Sequence, residues 1–315
     1  MNLCKRTMFL AASAALLLAG CSPKSPAPPA SGPTSPTSST KKIGITLLAR
    51  TDPFYQQMEA AMTEEAKAKG FELDVQDARK DLNVQMPQME TFISQGKDAI
   101  VVCPVNSEGI GKAITKANAA NIPVFTADIK ADKGAVVSHI ASDNVEGGRL
   151  AGERLGKLLG GRGKVVILDY PVVASVRQRD EGFLKGIAKY PDIQVVERPS
   201  CRGDRNESLN QMETMMQKYP DLAGAFCIND NTALGALKAV QSHTNSNVVL
   251  VGYDGDPEAR RAIAAGTALK ADAVQFPRAI GKQTIDAIAD YFAGKKPPAF
   301  VPVKVGLIDK DSAGR

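Results

Sequence analysis

The sequence predicts an α/β fold made of two doubly wound parallel-sheet lobes. From Lys42 onward, short runs rich in β-branched residues alternate with longer amphipathic stretches, as in a series of βαβ units. The strand-like runs are almost continuously apolar, which is expected of parallel strands covered by helices on both faces. The alternation begins again near Lys164, so two similar units of roughly 120 residues favour two lobes over one wide sheet.

The first unit is predicted to contain strands and helices in strict alternation. The strand-like runs cover residues 43–48, 71–76, 99–103 and 124–126. The helical stretches between them cover residues 53–69, 82–95 and 109–120. The first helix has a clear start, because Asp52 is a favoured N-cap residue and Pro53 is favoured at the first helical position.

The second unit repeats this pattern. Its strand-like runs cover residues 164–169, 193–197, 223–227 and 248–253, and its helical stretches cover residues 179–189, 209–219 and 231–242. A last helix (279–293) and a strand-like run (300–305) follow both units, so they must return to lobes begun earlier in the chain. Arg179 lies near the start of a predicted helix, where its charge opposes the helix dipole, so a ligand explains it better than a local contact.

Polar side chains follow the predicted strands of both units. In an open parallel sheet, ligands bind in the crevice beyond the carboxyl ends of the strands. The residues at these positions include Asp52, Phe54, Tyr55, Asp128, Arg179, Asn229 and Asp254. Carboxylates and amides bind hydroxyls, a guanidinium spans two oxygens, and an aromatic face covers C–H groups. The sequence therefore predicts a site for a small polyhydroxylated ligand.

Five stretches of the chain resemble the ribose-binding-protein branch of the type I periplasmic binding proteins. They are Asp52–Tyr55, Val136–Asn144, Arg179–Phe183, Asn229–Leu237 and Val251–Gly255, in order within residues 42–305. The resemblance implies two lobes joined by three hinge crossings, near residues 142–143, 275–276 and 302–304. It implies a first lobe of residues 41–142 plus 276–303 and a second lobe of residues 143–275 plus 304–315.

The resemblance also implies a set of ligand-binding residues. The first lobe contributes Asp52, Phe54, Tyr55 and Asp128, the second contributes Arg179, Asn229 and Asp254, and the hinge contributes Gln275. Two positions depart from ribose binders, because Ile129 stands in place of an arginine and Gly203 in place of an aromatic residue. A charged hydrogen bond contributes about 1.5–3 kcal/mol, so these losses argue against ribose. Arg50, Lys130, Arg177 or Arg202 could supply positive charge instead, which would admit an acidic or differently hydroxylated ligand.

The first twenty residues have the form of an export signal. Lys5 and Arg6 precede an apolar run that is too short to span a bilayer, which takes about twenty apolar residues. The sequence Leu-Ala-Gly before Cys21 resembles the bacterial lipobox, which implies a signal peptide of residues 1–20 and a lipid on Cys21. Residues 21–40 are rich in Ser, Pro and Thr and are predicted to be a tether. Ser22 after the cysteine favours the periplasmic face of the outer membrane if the cell is Gram-negative.

Composition and motif spacing exclude several other classes of protein. The net charge is +5, of which about +2 belongs to the body, and no basic run indicates nucleic acid binding. Cys103, Cys201 and Cys227 are widely spaced, so they are expected to be buried thiols and not a disulfide framework. We find no nucleophile–base set and no metal-ligand spacing, and Asp254 and Asp256 lack a third ligand in sequence. We therefore expect no catalytic residues, no cofactor and no metal.

The sequence thus predicts a monomeric, lipid-anchored periplasmic protein that binds a sugar or sugar-like polyol for an ABC importer. The two lobes close on the ligand, and the ABC permease recognises the closed form. The main alternative is a sensing protein that presents a sugar or sugar acid to a receptor or sensor kinase. An exported enzyme would need a catalytic set in the crevice. A lactose-repressor-like regulator would need an N-terminal helix-turn-helix where this chain has its signal and tether.

Overall fold

The computed structural model describes residues 40–243 and 246–313. The predicted export signal, the lipid site at Cys21 and the tether up to Ser39 lie outside these residues. Within the described ranges, no helix is both long enough and apolar enough to cross a membrane. The described residues form two sheets of six strands each, and helices cover them.

The first part of the chain alternates strands and helices and then adds one more strand. Its elements are β1 (Lys41–Leu47), α1 (Pro53–Lys69), β2 (Phe71–Asp77), α2 (Leu82–Ser94), β3 (Ala99–Val102), α3 (Gly111–Ala119), β4 (Val124–Ala127) and β5 (Ser138–Ser142). Helix α1 begins and ends at the predicted residues. Asp52 caps it through a hydrogen bond from the backbone N–H of Phe54, and Gly70 ends it in the left-handed conformation.

The second part begins with a helix and contains five strands. Its elements are α4 (Asn144–Leu158), β6 (Arg162–Leu168), α5 (Ala174–Ile187), β7 (Asp192–Glu197), α6 (Arg205–Lys218), β8 (Leu222–Cys227), α7 (Asp230–Ser242), β9 (Val249–Asp254), α8 (Pro257–Ala264) and β10 (Leu269–Val274). The chain then forms α9 (Pro277–Phe292), β11 (Phe300–Val303) and β12 (Gly306–Asp309).

The strand order confirms the predicted α/β class with two doubly wound sheets. The first sheet has the order β11-β5-β4-β3-β1-β2, and all its strands are parallel. The second sheet has the order β12-β10-β9-β8-β6-β7. Its strands are parallel except for the antiparallel pair β10–β12. In both sheets the first strand of the unit lies inside and neighbouring strands branch to either side, as in other doubly wound folds.

The chain passes between the two sheets three times. It leaves the first sheet after β5 and enters the second through α4 and β6. It returns between Val274 and Pro277 to α9, which packs against α1. It crosses a last time between Val303, at the end of β11, and Gly306, at the start of β12. Helix α9 and strand β11 therefore belong to the first lobe, which the N-terminal part of the chain begins.

Five elements were not predicted: β5, α4, α8, β10 and β12. Helix α4 contains four glycines, which disfavour an isolated helix, so its sequence does not look helical. The glycines are required because α4 packs backbone to backbone against α5. A Cβ on Gly148 would collide with the carbonyl oxygen of Arg179, and a Cβ on Gly182 would collide with that of Val145. Tertiary packing thus outweighs helix propensity here.

Apolar residues fill the space between each sheet and its helices. The stacked rings of Phe183 and Phe226, 4.6 Å apart, hold α5 on the second sheet. The three cysteines of the described residues, Cys103, Cys201 and Cys227, are free and buried as predicted. The core leaves the carboxyl ends of both sets of parallel strands facing each other across one crevice.

Candidate ligand-binding site

A cavity lies between the two lobes, beyond the carboxyl ends of both sheets. It encloses about 540 Å³ of empty space, including open solvent at its mouth. The structure brings together in its wall all the residues proposed from the sequence: Asp52, Phe54, Tyr55, Asp128, Arg179, Asn229, Asp254 and Gln275. A cavity whose wall combines apolar side chains with a few polar groups is typical of a small-molecule site.

The start of α1 contributes Asp52, Phe54 and Tyr55. Asp52 Oδ2 accepts a hydrogen bond of 3.1 Å from Asn231 Nδ2 of the second lobe, so its side chain already spans the crevice. The rings of Phe54 and Tyr55 meet edge to face with centroids 5.2 Å apart, and both are buried. The Tyr55 hydroxyl donates to Asp128 Oδ2 at 2.6 Å. The two rings therefore form an apolar part of the cavity wall, and the Tyr55 hydroxyl at its edge bonds to the carboxylate of Asp128.

Asp128 follows β4 and holds a backbone conformation that is rare for a residue with a side chain, with φ at 64°. Its side chain is only 5% exposed. Oδ2 accepts from Tyr55, whereas Oδ1 has no hydrogen-bond partner among the described residues. Burial raises the pKa of this carboxyl to about 6, although the charge of Arg179 opposes the shift. Asp128 thus has a free, buried acceptor on the cavity wall.

Arg179 lies in the second turn of α5, because the helix begins at Ala174 and not near Arg179 as predicted. Two distant parts of the chain hold the Arg179 side chain in place. Its Nε donates to Asn144 Oδ1 at 2.9 Å and its Nη1 to the carbonyl of Ile228 at 2.7 Å. The guanidinium lies 3.9 Å from the ring centroid of Tyr253, a cation–π distance. These contacts hold the guanidinium in one orientation on the cavity wall.

Asn229, Asp254 and Gln275 complete the second-lobe side of the cavity. Asn229 caps α7, since its Oδ1 accepts from the backbone N–H of Thr232 at 2.9 Å. Gln275 Nε2 donates to Asp254 Oδ1 at 2.7 Å, and Arg179 Nη1 lies 3.7 Å from the same oxygen. Burial raises the pKa of Asp254 well above its usual value, and the charge of Arg179 opposes this. Gln275 Oε1 has no partner among the described residues.

The proposed alternative cations are mostly outside the cavity. Arg202 lies on its wall, but Arg50 pairs with Glu59, Arg177 pairs with Asp132, and Lys130 is not part of the lining. Of these four alternatives, Arg202 is the one that lies on the cavity wall. Lys80, which the sequence did not single out, lies on the wall instead, along with Tyr170, Val173, Ser175 and Val176.

Ile129 and Gly203, the two positions that depart from ribose binders, both lie on the cavity wall. Ile129 is buried and apolar. The carbonyl oxygen of Gly203 accepts a hydrogen bond of 3.1 Å from Lys80 Nζ of the first lobe. The wall therefore has no guanidinium at position 129 and no aromatic ring at position 203.

Direct contacts between the lobes show that the structure is a closed form. Ser107 of the first lobe accepts from the backbone N–H of Ala174 through Oγ at 2.8 Å. The backbone N–H of Ser107 donates to the carbonyl of Val172 at 3.1 Å. Arg177 of the second lobe pairs with Asp132 of the first at 2.7 Å. Closure leaves most of the cavity wall buried.

The fold also gathers carboxylates behind the cavity. The carboxylates of Asp230, Asp254 and Asp256 lie within 4.8 Å of one another, so Asp230 is the third acidic group that sequence spacing did not reveal. Such a group could hold a cation, but Asp230 Oδ2 already accepts from the backbone N–H of Asp256 at 2.6 Å. Burial and the neighbouring carboxyl of Asp272 raise the pKa of Asp230 well above its usual value, and the other side-chain oxygen of Asp230 has no hydrogen-bond partner among the described residues.

Residues 43–296 match the profile of the family described as Periplasmic binding protein domain. The chain belongs to this family. Ribose import binding protein RbsB of Escherichia coli is 34% identical over 269 residues, which cover 85% of this chain and 90% of that protein. The Xylitol-binding protein of Mycolicibacterium smegmatis is 30% identical over 268 residues, covering 83% of this chain and 76% of that protein.

The crystal structure of an ABC transporter solute binding protein from Mycobacterium smegmatis, with bound glycerol, superimposes with a TM-score of 0.82. It is 34% identical, and the match covers 87% of this chain and 96% of that one. The matches confirm the resemblance found in the sequence and the type I periplasmic binding protein fold. The names of these relatives describe them as binding proteins.

Proposed function

We propose that this chain is the substrate-binding lipoprotein of an ABC importer for a sugar or sugar-like polyol. The observation that carries the proposal is the buried cavity between two lobes, whose wall contains hydrogen-bonding groups from both. Asp128 of the first lobe and Arg179 of the second face the same space. A ligand bound between them contacts both lobes at once. The cavity wall contains an aromatic pair for C–H groups and carboxylates for hydroxyls.

The relatives support a hydroxylated ligand. Their descriptions name ribose, xylitol and glycerol, all of which are small polyhydroxylated molecules. The free buried acceptors Asp128 Oδ1 and Gln275 Oε1 are suited to hydroxyl donors. We expect ribose itself to bind poorly, because Ile129 supplies no donor and Gly203 supplies no ring.

Ligand contacts drive closure of the lobes in this proposal. A ligand shifts the balance between open and closed forms only if it binds one of them more tightly. Arg179 and Asp128 belong to different lobes, so both contacts exist only when the lobes meet. The closed form then delivers the ligand to the permease. The eight lining residues predicted from the sequence are the proposed ligand contacts.

A thermal-shift screen tests the proposed ligand class. The full chain is purified in a detergent without a sugar headgroup and screened against pentoses, hexoses, polyols, sugar acids and nucleosides. A ligand at a hundredfold excess over its Kd stabilises the folded state by about 2.7 kcal/mol, which a thermal shift detects. We expect hits among the sugars or polyols. Hits among nucleosides alone, or none among sugars and polyols, would contradict the proposal.

Lipid attachment at Cys21 is tested separately. Cells expressing the chain are labelled with an alkyne-tagged fatty acid and divided into membrane and soluble fractions. We expect label and membrane association in the natural chain and neither in Cys21→Ser. Cys4→Ser is the matched control, since Cys4 lies in the predicted signal peptide. Equal membrane association of both variants would contradict the anchor.

A further inference from the structure

The second-lobe wall of the cavity has no ring at position 203, and the backbone there does not accommodate one. Gly203 has φ at 60°, a conformation that residues with a side chain rarely adopt. A Cβ at this position would lie 3.0 Å from Asn229 Nδ2, which is closer than ordinary van der Waals contact. A ring on this part of the wall therefore has to come from another position in the chain.

Tyr170 is the aromatic residue among the described second-lobe residues that line the cavity. It follows the end of β6. The backbone N–H of Asp169 donates to the carbonyl of Pro199 at 2.9 Å, and the carbonyl of Asp169 accepts from Cys201 at 2.8 Å. These bonds extend the parallel pairing of β6 and β7 beyond both strands. Tyr170 therefore leaves the sheet beside the segment that contains Gly203.

The Tyr170 side chain has a packed ring and an unpaired hydroxyl. The side chain is half-buried and packs against the hydrophobic core. None of the residues that the structure describes bonds to the hydroxyl, whereas the backbone N–H of Tyr170 donates to Asp169 Oδ1 at 2.6 Å. Burial raises the pKa of the hydroxyl above its ordinary value, and the charge of Arg202 opposes this. The hydroxyl therefore keeps its proton at neutral pH and can donate it to a hydrogen bond.

Two further donors of the second lobe are unpaired on the wall. Ser175, in the first turn of α5, is buried, and within the described ranges its hydroxyl has no partner. Asn229 uses Oδ1 to cap α7, which leaves its Nδ2 without a partner in the same part of the chain. Polar groups on a buried wall need hydrogen-bond partners. A ligand hydroxyl both donates and accepts, so it can satisfy each of these groups.

We propose that Tyr170 determines ligand specificity, because its ring replaces the ring absent at position 203 and its hydroxyl binds a ligand hydroxyl. This inference rests on the proposed function and adds a contact to the same site. Phe54 and Tyr55 cover the C–H groups of the ligand from the first lobe, and Tyr170 covers them from the second. The ring enters from the neighbouring strand, so it covers a different part of the ligand and does not restore the fit to ribose.

Two variants of Tyr170 separate the ring from the hydroxyl. The full chain, in a detergent without a sugar headgroup, is titrated calorimetrically with D-ribose, D-xylose, D-allose, D-galactose, xylitol, ribitol and myo-inositol. The variants are then compared on the probe that binds most tightly. Tyr170→Phe removes one hydrogen bond and should raise the Kd about fivefold. Tyr170→Ala also removes the ring and should raise the Kd at least tenfold further.

The outcomes distinguish this inference from the proposed function. A Kd unchanged in both variants would overturn the inference and leave the proposed function intact. A loss in Tyr170→Ala alone would support the ring and overturn the hydroxyl contact. Failure of every probe to bind the natural chain would contradict both the inference and the proposed function.

Tyr291→Phe and Tyr291→Ala are the matched controls. Tyr291 is 38% exposed, packs edge to face on Phe125 of the first lobe and is not part of the ligand cavity. Removal of either tyrosine ring should lower the thermal midpoint, but the Tyr291 variants should keep the Kd of the natural chain. An equal rise of the Kd in Tyr291→Ala and Tyr170→Ala would show a general loss of packing and would overturn the assignment to Tyr170.

Monodeoxy derivatives of the tightest probe test the hydroxyl contact directly. One derivative should bind about fivefold more weakly than its parent to the natural chain but equally well to Tyr170→Phe, because that variant already lacks the bond. A merely structural role of Tyr170 would weaken the parent and all its derivatives alike. Losses that add for every derivative would therefore overturn the hydroxyl contact.

Discussion

Arg179 has a structural role in this protein, in addition to the ligand-binding role that we propose for it. Its guanidinium is buried, hydrogen-bonded to Asn144 and Ile228, and placed over Tyr253. A side chain that is already oriented loses little entropy when a ligand binds, which favours affinity. The sequence predicted the ligand role but not the local contacts, because it placed the start of α5 five residues too late.

Arg179→Lys is expected to weaken both stability and ligand binding. Lysine keeps the charge but does not reproduce the planar set of donors. The loss of charged hydrogen bonds should lower the free energy of unfolding by about 2 kcal/mol and ligand affinity at least tenfold. Chemical denaturation and calorimetry with the ligand from the screen measure the two effects. Arg278→Lys, in an exposed pair with Glu64, is the control. Unimpaired binding in Arg179→Lys would remove Arg179 from the site.

Buried carboxyls are expected to make the protein less stable as the pH rises. The pKa values of Asp180 and Asp272 are each raised to about 7, mainly by burial. The folded state therefore binds more protons than the unfolded state, and this stabilisation is lost as the pH rises through 7. The pKa of buried His139 is lowered to about 4, so this residue has the opposite effect until its unfolded-state imidazole, with a pKa of about 6.5, has lost its proton.

Denaturant unfolding between pH 6.5 and pH 8.5 measures this dependence. Each carboxyl that is protonated in the folded state but ionised in the unfolded state lowers the free energy of unfolding by up to about 1.4 kcal/mol per pH unit. Asp180→Asn should give a shallower slope, because the amide cannot lose a proton in this pH range. A slope equal in both proteins would show that Asp180 does not titrate in this range.

Helix α5 depends on the opposite lobe at its first turn. Its N-cap residue, Val173, has no side-chain hydrogen bond to offer. The hydroxyl of Ser107, from the first lobe, accepts from the backbone N–H of Ala174 in its place. A capping hydrogen bond contributes typically about 1 kcal/mol. Because this one exists only when the lobes meet, it stabilises the closed form of the molecule specifically and acts on the helix that carries Arg179.

Ser107→Ala is therefore expected to weaken ligand binding without removing a ligand contact. A loss of about 1 kcal/mol in closure corresponds to roughly a fivefold rise in Kd. Calorimetry with the ligand from the screen measures it. Ser94→Ala is the control, since the Ser94 hydroxyl bonds to Thr91 within the same helix. A Kd unchanged by Ser107→Ala would mean that the contact does not contribute to closure.

Some helices of this protein can be predicted from the sequence and others cannot. Helix α1 was predicted to the residue, because Asp52, Pro53 and Gly70 mark its ends locally. Helix α4 was missed, because its glycines serve contact with α5 and not helix formation. Local signals predict an element when its residues mainly stabilise that element. They fail when the residues mainly allow contact with a distant part of the chain.

At the scale of the whole molecule, ligand binding is expected to change the shape of the protein. The described structure is closed, with contacts between lobes at Ser107–Ala174, Asp132–Arg177, Lys80–Gly203 and Asp52–Asn231. Among these four contacts, only Asp132–Arg177 is an ion pair, and it is exposed, where an ion pair contributes about 0–1 kcal/mol. We therefore expect the empty protein to populate an open form.

Small-angle X-ray scattering with and without the ligand from the screen measures this change. The radius of gyration should fall when ligand is added, and it should stay unchanged in Arg179→Lys at the same ligand concentration. An equal radius with and without ligand in the natural chain would show that the empty protein is already closed.

The sequence by itself determined the class of fold, the two-lobed organisation and the group of polar residues at the strand ends. Alternating apolar runs and helix caps are local signals, and parallel strands place their carboxyl ends together whatever the details of the loops. It also determined the family, through motifs spread along the chain.

Only the tertiary structure decided which other groups share the cavity. Lys80 and Gly203 are 123 residues apart in sequence yet hydrogen-bonded, and Ser107 caps a helix of the other lobe. The balance of charge around Asp128 likewise depends on which cations the loops direct inward. Such contacts join distant segments through the geometry of the closed lobes, and no local pattern of residues encodes that geometry.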